Sequence, residues 1–398
     1  MRLTIESHHE VIRELSQNPS IARTSDGDLL LLQANYADAM AGCCERLHRS
    51  TDGGRTWSQA ERTFVCDMHL GGLEATLSCA GEVALVAGIE GSDIKRQPRN
   101  PKRCRLRRST DGGRNWSAPI DLNDRHGGVM PYGKMIRLRS SGRLLLPTYA
   151  CANWLDRGGS RTLGVIFASD DDGLTWTELG TVEQDESVRD LRLLELAIVE
   201  LPDGRLLGIT RGDAVTAEAF PYGLRTESQD GGRTWSQATP MNINICEPRL
   251  TITPDGRILL VARSWPGNVY FYYRPLAPHE REPGTNQTET VAAGLRDEHL
   301  SPVREFGVVI FTTGDDGRTW QPLLTISNPD RDPLPEGADL LTRHRYQAAY
   351  PDICWLDDER FFCVYRQPDP TLPDLRPGLT YSHLYQRYVA GCVVRVHD

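Results

Sequence analysis

Apolar residues along this chain come in short runs broken by glycine- and aspartate-rich turns, and helical periodicity is almost absent. Six times an apolar run leads through a turn into a second apolar run, over residues 19–33, 73–88, 132–149, 195–211, 247–263 and 350–366. The turns carry Ser25-Asp26-Gly27-Asp28, Gly81, Ser141-Gly142, Pro202-Asp203-Gly204, Pro254-Asp255-Gly256 and Asp357-Asp358-Glu359. Glycine takes positive φ without steric cost and aspartate bonds nearby amides, so each stretch predicts a β-hairpin.

A second pattern alternates with the hairpins. Ser/Thr-x-Asp-x-Gly-x-Thr-Trp occurs at residues 50–57, 109–116 (with Asn115 for Thr), 169–176, 228–235 and 313–320. The aspartates Asp52, Asp111, Asp171, Asp230 and Asp315 are spaced by 59, 60, 59 and 85 residues, a repeat architecture with one insertion near 266–305. Turn chemistry reads these boxes as structural staples, with the Trp ring packed beneath the turn. The unit is strand A, Gly turn, strand B, loop, strand C, box, strand D. Six such units predict an all-β, six-bladed β-propeller of four-stranded antiparallel blades, one domain over residues 1–398. The sixth unit lacks a clear box, and residues 389–396 and 2–15 are expected to supply its outer strands and close the ring. The insertion reads as a Pro- and Gly-containing functional or mobile loop.

Strand direction places the chemistry. The A–B turns and the boxes fall at one end of every blade, and the start of A, the end of B and the B–C loop at the other. Three hairpins share one offset, Glu195/Arg211, Glu247/Arg263 and Tyr350/Arg366, each 16 residues apart. Pairing would set each couple side by side on the rim away from the boxes. Each Glu–Arg couple taken alone is equally well a salt bridge in a wet channel. Three arginines at equivalent places favour an anion site, since guanidinium forks match carboxylates.

Composition narrows the partners. A net charge of −9 over 398 residues argues against nucleic acid without excluding a locally basic pocket. No apolar run is long enough for a membrane span, and the N-terminus shows no signal-peptide core. Ten scattered cysteines without Cys-x-x-Cys are expected to be reduced thiols in a cytoplasm. His69, His126 and His344 fall on expected rim loops without metal-ligand spacing, so neither metal nor cofactor is expected. Trp154, Trp265 and Tyr222 follow B strands, where aromatic rings either stack on sugars or pack.

The five boxes, the six hairpins, the Glu195–Arg211 hairpin, Gly142-Arg143-Leu144-Leu145-Leu146-Pro147-Thr148-Tyr149 and Ala349-Tyr350-Pro351-Asp352-Ile353 resemble the sialidase (neuraminidase) superfamily, also called BNR or Asp-box proteins. The resemblance covers nearly the whole chain. It implies a retaining exo-glycosidase with Tyr350 as nucleophile, Glu195 as its activating carboxylate, Arg211 in the arginine triad that grips the sugar carboxylate, and Asp38 as acid/base. A phenol nucleophile suits an anionic sugar that a carboxylate would repel. With the hairpin couples, the candidate substrate contacts are Arg211, Arg263, Arg366, Glu247, Arg345 and Tyr149, and the expected partner is an anionic carbohydrate. One departure stands out. Sialidases open the first blade with Arg-Ile-Pro, whereas this chain has Gln17-Asn18-Pro19. Either Arg263, Arg366, Arg343 or Arg345 supplies the missing charge, or the substrate is not a sialic acid. Two other readings share the scaffold: an inverting hydrolase or lyase built on Glu195 and Glu247, and a non-catalytic glycan-binding propeller.

Overall fold

The structure, a computed structural model, describes residues 1–14, 17–34, 44–65, 75–90, 103–122, 125–126, 128–150, 162–214, 219, 221–266, 269–275, 288–295, 302–303, 306–326, 347–369 and 387–397. Strand β1 (Arg2–Ile12) precedes the first blade, β2 (Gln17–Arg23), β3 (Leu29–Ala34), β4 (Cys44–Ser50) and β5 (Arg62–Val65). The second blade is β6 (Thr76–Ala80), β7 (Val83–Glu90), β8 (Arg103–Ser109) and β9 (Ile120–Asp121). The third is β10 (Val129–Pro131) with β11 (Ile136–Arg137), then β12 (Leu144–Ala150), β13 (Leu163–Ser169) and β14 (Thr177–Val182). The fourth is β15 (Leu191–Glu200), β16 (Leu206–Ala214), β17 (Gly223–Ser228) and β18 (Thr239–Pro240). The fifth takes β19 (Cys246–Ile252) and β20 (Ile258–Ser264), is interrupted by β21 (Val269–Pro275) and β22 (Thr288–Leu295), and resumes with β23 (Gly307–Thr312) and β24 (Gln321–Ile326). The sixth is β25 (Ala349–Trp355), β26 (Arg360–Pro368) and β27 (Arg387–His397), with β1 as its outermost strand.

The fold is therefore an all-β six-bladed propeller of mostly four-stranded antiparallel blades. The chain ends close it: Leu3 pairs with Val396 and Ile5 with Val394, so the last blade is stitched from both termini. An apolar cluster lies at each junction between neighbouring blades. Phe361, Tyr365 and Tyr388 meet Leu259, Val261 and Ile310 at the junction of blades five and six. Phe362 and Val364 meet Ile21, Leu29 and Leu31 at the closing junction of blades six and one.

The boxes clasp these junctions. In each box the aspartate accepts hydrogen bonds from the backbone and side chain of the Thr or Asn four residues on, as Asp230 does from Thr234 N (2.9 Å) and Oγ1 (2.6 Å). The Trp indole donates back to the second glycine's carbonyl, Trp235 to Gly232 O at 3.0 Å. That glycine also meets the preceding blade. A Cβ on Gly54 would stand 2.4 Å from the Phe362 ring, and one on Gly113 2.7 Å from Leu30. An arginine before the box completes the latch in three blades: Arg49 donates to Gly112 O, Arg108 to Asp172 O and Arg225 to Asp316 O.

Two details depart from the sequence reading. The insertion near 266–305 is not an irregular loop throughout, because β21 and β22 pair as an antiparallel ribbon with Tyr272 opposite Val291. The aromatic and β-branched runs Val269-Tyr270-Phe271-Tyr272-Tyr273 and Thr288-Glu289-Thr290-Val291 favour extended pairing over a loop. The inner strand of blade three, expected to be continuous from residue 132, is split between β10 and β11. Gly133 lies in the gap, where a Cβ would come within 2.4 Å of Leu196 O and 2.5 Å of Pro147 Cγ. Only glycine allows that approach, and it delivers Lys134 to the axis.

Candidate active site

Four inner hairpins carry the same irregularity at the rim opposite the boxes. Pairing shifts register between Gln17 and Ser20, Leu194 and Ala197, Cys246 and Arg249, and Ala349 and Asp352. The first bulged residue is Asn18, Glu195, Glu247 and Tyr350, with φ of 48°, 53°, 59° and 52°. The next residue is Pro19, Leu196, Pro248 or Pro351, and a proline that donates no ladder bond suits a bulge. Left-handed backbone costs a non-glycine residue about 1–3 kcal/mol and persists where the surroundings over-determine it. Among the described residues the other two non-glycine positions in this region, Asp172 and Asp316, sit in box turns, so the strained rim positions among them are the four bulges.

The bulged side chains and the last residues of the B strands form one network. Glu195 Oε1 receives Arg211 Nη1 at 2.9 Å, and Glu247 Oε1 faces Arg263 Nη2 at 2.8 Å. The Arg366 guanidinium lies over the Tyr350 ring, 4.5 Å from its centroid. Each carboxylate also reaches the next blade. Glu195 Oε2 accepts the Glu247 amide at 2.7 Å, and Glu247 Oε2 accepts the Tyr350 amide at 2.6 Å. Both glutamates are buried, at 2% and 0% exposure, whereas Tyr350 is half-buried. Arg211 is further clamped by Asp213, Nε to Oδ1 at 2.6 Å, and Asp213 by Arg192 at 3.1 Å.

Electrostatics follow from that burial. Desolvation raises the Glu195 pKa, Arg211 opposes the shift, and Glu247 reinforces it. Arg387, 1% exposed, is pushed well below the usual guanidinium range by burial and then by Arg366 and Arg263, with Tyr350 and Glu247 opposing. The rim therefore gathers guanidinium groups that repel one another around a phenol and two carboxylates.

One step deeper, a second network closes the channel. Arg249 and Asp352 stand just past the bulges at Glu247 and Tyr350, where each strand resumes its pairing, opposite Val261 and Val364. Arg249 Nε meets Asp352 Oδ1 at 3.2 Å, and the guanidinium stacks on Tyr132 at 3.8 Å. Asp352 Oδ2 accepts from Ser20 Oγ (2.9 Å) and Ile21 N (2.8 Å) and pairs with Lys134. Lys134 Nζ also donates to Ile21 O (2.6 Å), Leu77 O (2.7 Å) and Ser20 Oγ (3.1 Å). Blades one, two, three, five and six thus meet at a polar floor.

Of the residues expected on the rim, Glu195, Glu247, Tyr350, Arg211, Arg263 and Arg366 come together. The carboxylate bonded to the backbone of Tyr350 is that of Glu247, while the bonds to Glu195 come from Arg211 and the Glu247 amide. Tyr149 does not join this cluster among the described residues. It is 1% exposed and packs with Met130, Tyr132 and Leu194, where its ring fills an apolar gap. Trp265 is buried, Tyr222 packs at a blade junction, and His126 pairs with Glu178 at 3.2 Å. Asp38, Arg345, Arg343, His69, His344 and Trp154 lie outside the described residues. Asp213, Arg387 and the floor residues were not foreseen. Asp213 carried a signal, since it follows Arg211 by two on one strand face. Arg387 carried none, because it opens strand C of the blade without a box.

These features define an Asp-box β-propeller with a cluster of arginines, two glutamates and a tyrosine at the unboxed end of its axis. A BNR repeat-like domain model matches residues 77–363, and the chain belongs to that family. A protein of unknown function from Dyadobacter fermentans DSM 18053 superposes with a TM-score of 0.65 at 16% identity, over 99% of each chain. Hadza microbial sialidase Hz136 gives 0.58 at 15%, covering 96% of this chain and 66% of the sialidase. The Penicillium chrysogenum α-L-arabinanase complexed with arabinobiose gives 0.56 at 13%, over 98% of each chain. No curated protein matches the chain. At these identities the likeness to sialidases and other glycosidases is one of fold.

Proposed function

We propose that this propeller is a glycosidase removing a terminal acidic sugar from a carbohydrate. The observation carrying this reading is the convergence of Glu195, Glu247 and Tyr350, each on a strained bulge and each in contact with an arginine. Crowding of Arg387 with Arg366 and Arg263 supports an anionic substrate, because a bound carboxylate relieves their repulsion. With no arginine at Asn18, the substrate carboxylate is held from the side of blades five and six. Tyr350 attacks the anomeric carbon and the glycosidic bond breaks. The phenolic proton passes to a buried carboxylate, and Asp38 protonates the leaving oxygen. Water then cleaves the tyrosyl intermediate.

A second reading rests on Glu195, whose burial beside Glu247 favours its protonated form. It would serve as general acid and Glu247 as base in a two-carboxylate hydrolase acting on a neutral sugar. Chromogenic sialosides, uronides, arabinosides and rhamnosides, assayed with NMR of the released sugar, separate the two. Turnover of an acidic glycoside with retention supports the first reading, and turnover of neutral glycosides alone the second. Binding without turnover of any of them would leave a lectin-like propeller and contradict both.

A further inference from the structure

The channel has a second chamber. Beneath the Lys134–Asp352–Arg249 floor, at the mouth shared with the boxes, a cavity of 290 Å³ is walled by the later halves of β2, β6, β19 and β25. Its polar lining donates. Ser78 Oγ accepts the Met135 amide at 2.9 Å, and Thr251 Oγ1 accepts the Trp355 indole N–H at 2.8 Å, so each hydroxyl hydrogen remains to be given. Ser78 is 2% exposed, which makes an acceptor arriving in the chamber the natural partner for its hydrogen. Arg23 stands exposed at the chamber's wall and forms no ion pair among the described residues. At the inner end Lys134 and Arg249 share the one carboxylate of Asp352, two cations against one anion.

Negative charge is withheld from the same space. Asp352 is 0% exposed, and both its oxygens are engaged, Oδ1 by Arg249 and the Ile353 amide, Oδ2 by Ser20, Ile21 and Lys134. The Cys79 and Cys354 thiols also border the chamber, and burial pushes them up to about 11 and about 12, so they remain neutral. A donor-lined, cation-flanked recess without an available carboxylate selects for an acceptor that is itself negative.

We propose that this chamber is a binding site for a small oxyanion, held by Arg23, Ser78 and Thr251 and separated by the axial floor from the arginine cluster on the opposite rim. Its chemistry suits inorganic phosphate or sulfate and short carboxylates alike. The test is calorimetric and thermal titration of the protein with sodium phosphate, sodium sulfate and sodium malonate, against sodium chloride at matched ionic strength. At least one oxyanion is expected to bind saturably and to raise Tm with the logarithm of its concentration beyond the chloride control. Preference for phosphate and sulfate identifies a tetrahedral guest, and preference for malonate a carboxylate. The pair Arg23→Gln and Thr251→Val, one exposed and one nearly isosteric, should weaken that binding about tenfold or more. Oxyanion titrations that never exceed chloride would overturn the proposal. So would a response unchanged in the double variant, which would locate the anion at the arginines of the opposite rim. Neither result depends on whether the rim hydrolyses a sugar.

Discussion

A carboxyl group taken out of water beside a second carboxylate holds its proton more firmly, and Glu195 is in that position. Its raised pKa means that the ionised form, needed to accept the phenol's proton, is lost as pH falls through a value above the usual carboxylate range. The acid limb of kcat/KM should therefore lie above that range. Arg211→Met removes the opposing charge and should move the limb higher still, as a pH-rate profile would record. Tyr350→Phe should lower kcat by about 10³-fold or more while leaving thermal unfolding within ~1 kcal/mol of the parent. Another buried acid acts on stability instead. Burial alone raises Glu45 to about 8. The folded state keeps that proton up to about pH 8 while the unfolded chain releases it near the ordinary carboxylate value, so stability falls as pH rises between the two. Glu45→Gln should stabilise the fold by about 2–4 kcal/mol at pH 8 and hardly at all at pH 4, measurable by denaturant unfolding at both.

The hairpins show what a linear sequence reveals. The Glu195/Arg211, Glu247/Arg263 and Tyr350/Arg366 couples were legible because register within a hairpin is fixed locally by the turn and the alternation of its strands. The four bulges were not read, although Asn18-Pro19, Glu247-Pro248 and Tyr350-Pro351 share an X-Pro signature that marks them in retrospect. Lys134 was out of reach for a different reason. Its place on the axis follows from the broken strand at Gly133, which tertiary contact with Leu196 and Pro147 imposes. Tyr149 was misplaced because alternation tells which face a residue takes, not whether that face is a wall or a core. The boxes make the complementary case, since their role follows from turn chemistry and the structure shows that role. Hydrogen bonds hold Asp230 down to about pKa 2, with burial opposing. Asp230→Ala should cost ~1 kcal/mol, modest because the site is partly solvated, and leave activity on the opposite rim unaltered. Trp320→Ala, emptying a site of 0% exposure, should cost about 3–5 kcal/mol in the same unfolding assay.

For the molecule as a ring, closure and convergence are linked. β1 covers the edge of β27, and β26 beside β27 brings Arg366 to the rim cluster with Arg387 at the start of β27. Removing residues 1–13 should bare that edge, lower Tm and produce self-association visible by light scattering, because an uncovered edge strand recruits another chain. A propeller keeps its inner strands in register only while closed, so opening it should also disperse the rim network. In the proposed mechanism, groups from blades four, five and six act as one site with Tyr350 as the covalent centre. That mechanism is tested most directly by incubating the protein with an acidic sugar fluorinated beside the anomeric carbon, so that the intermediate accumulates, and mapping the adduct by peptide mass spectrometry. A glycosyl adduct is expected on the peptide containing Tyr350, absent in Tyr350→Phe. An adduct on Glu195 or Glu247, or full turnover of an acidic glycoside by Tyr350→Phe, would contradict the mechanism.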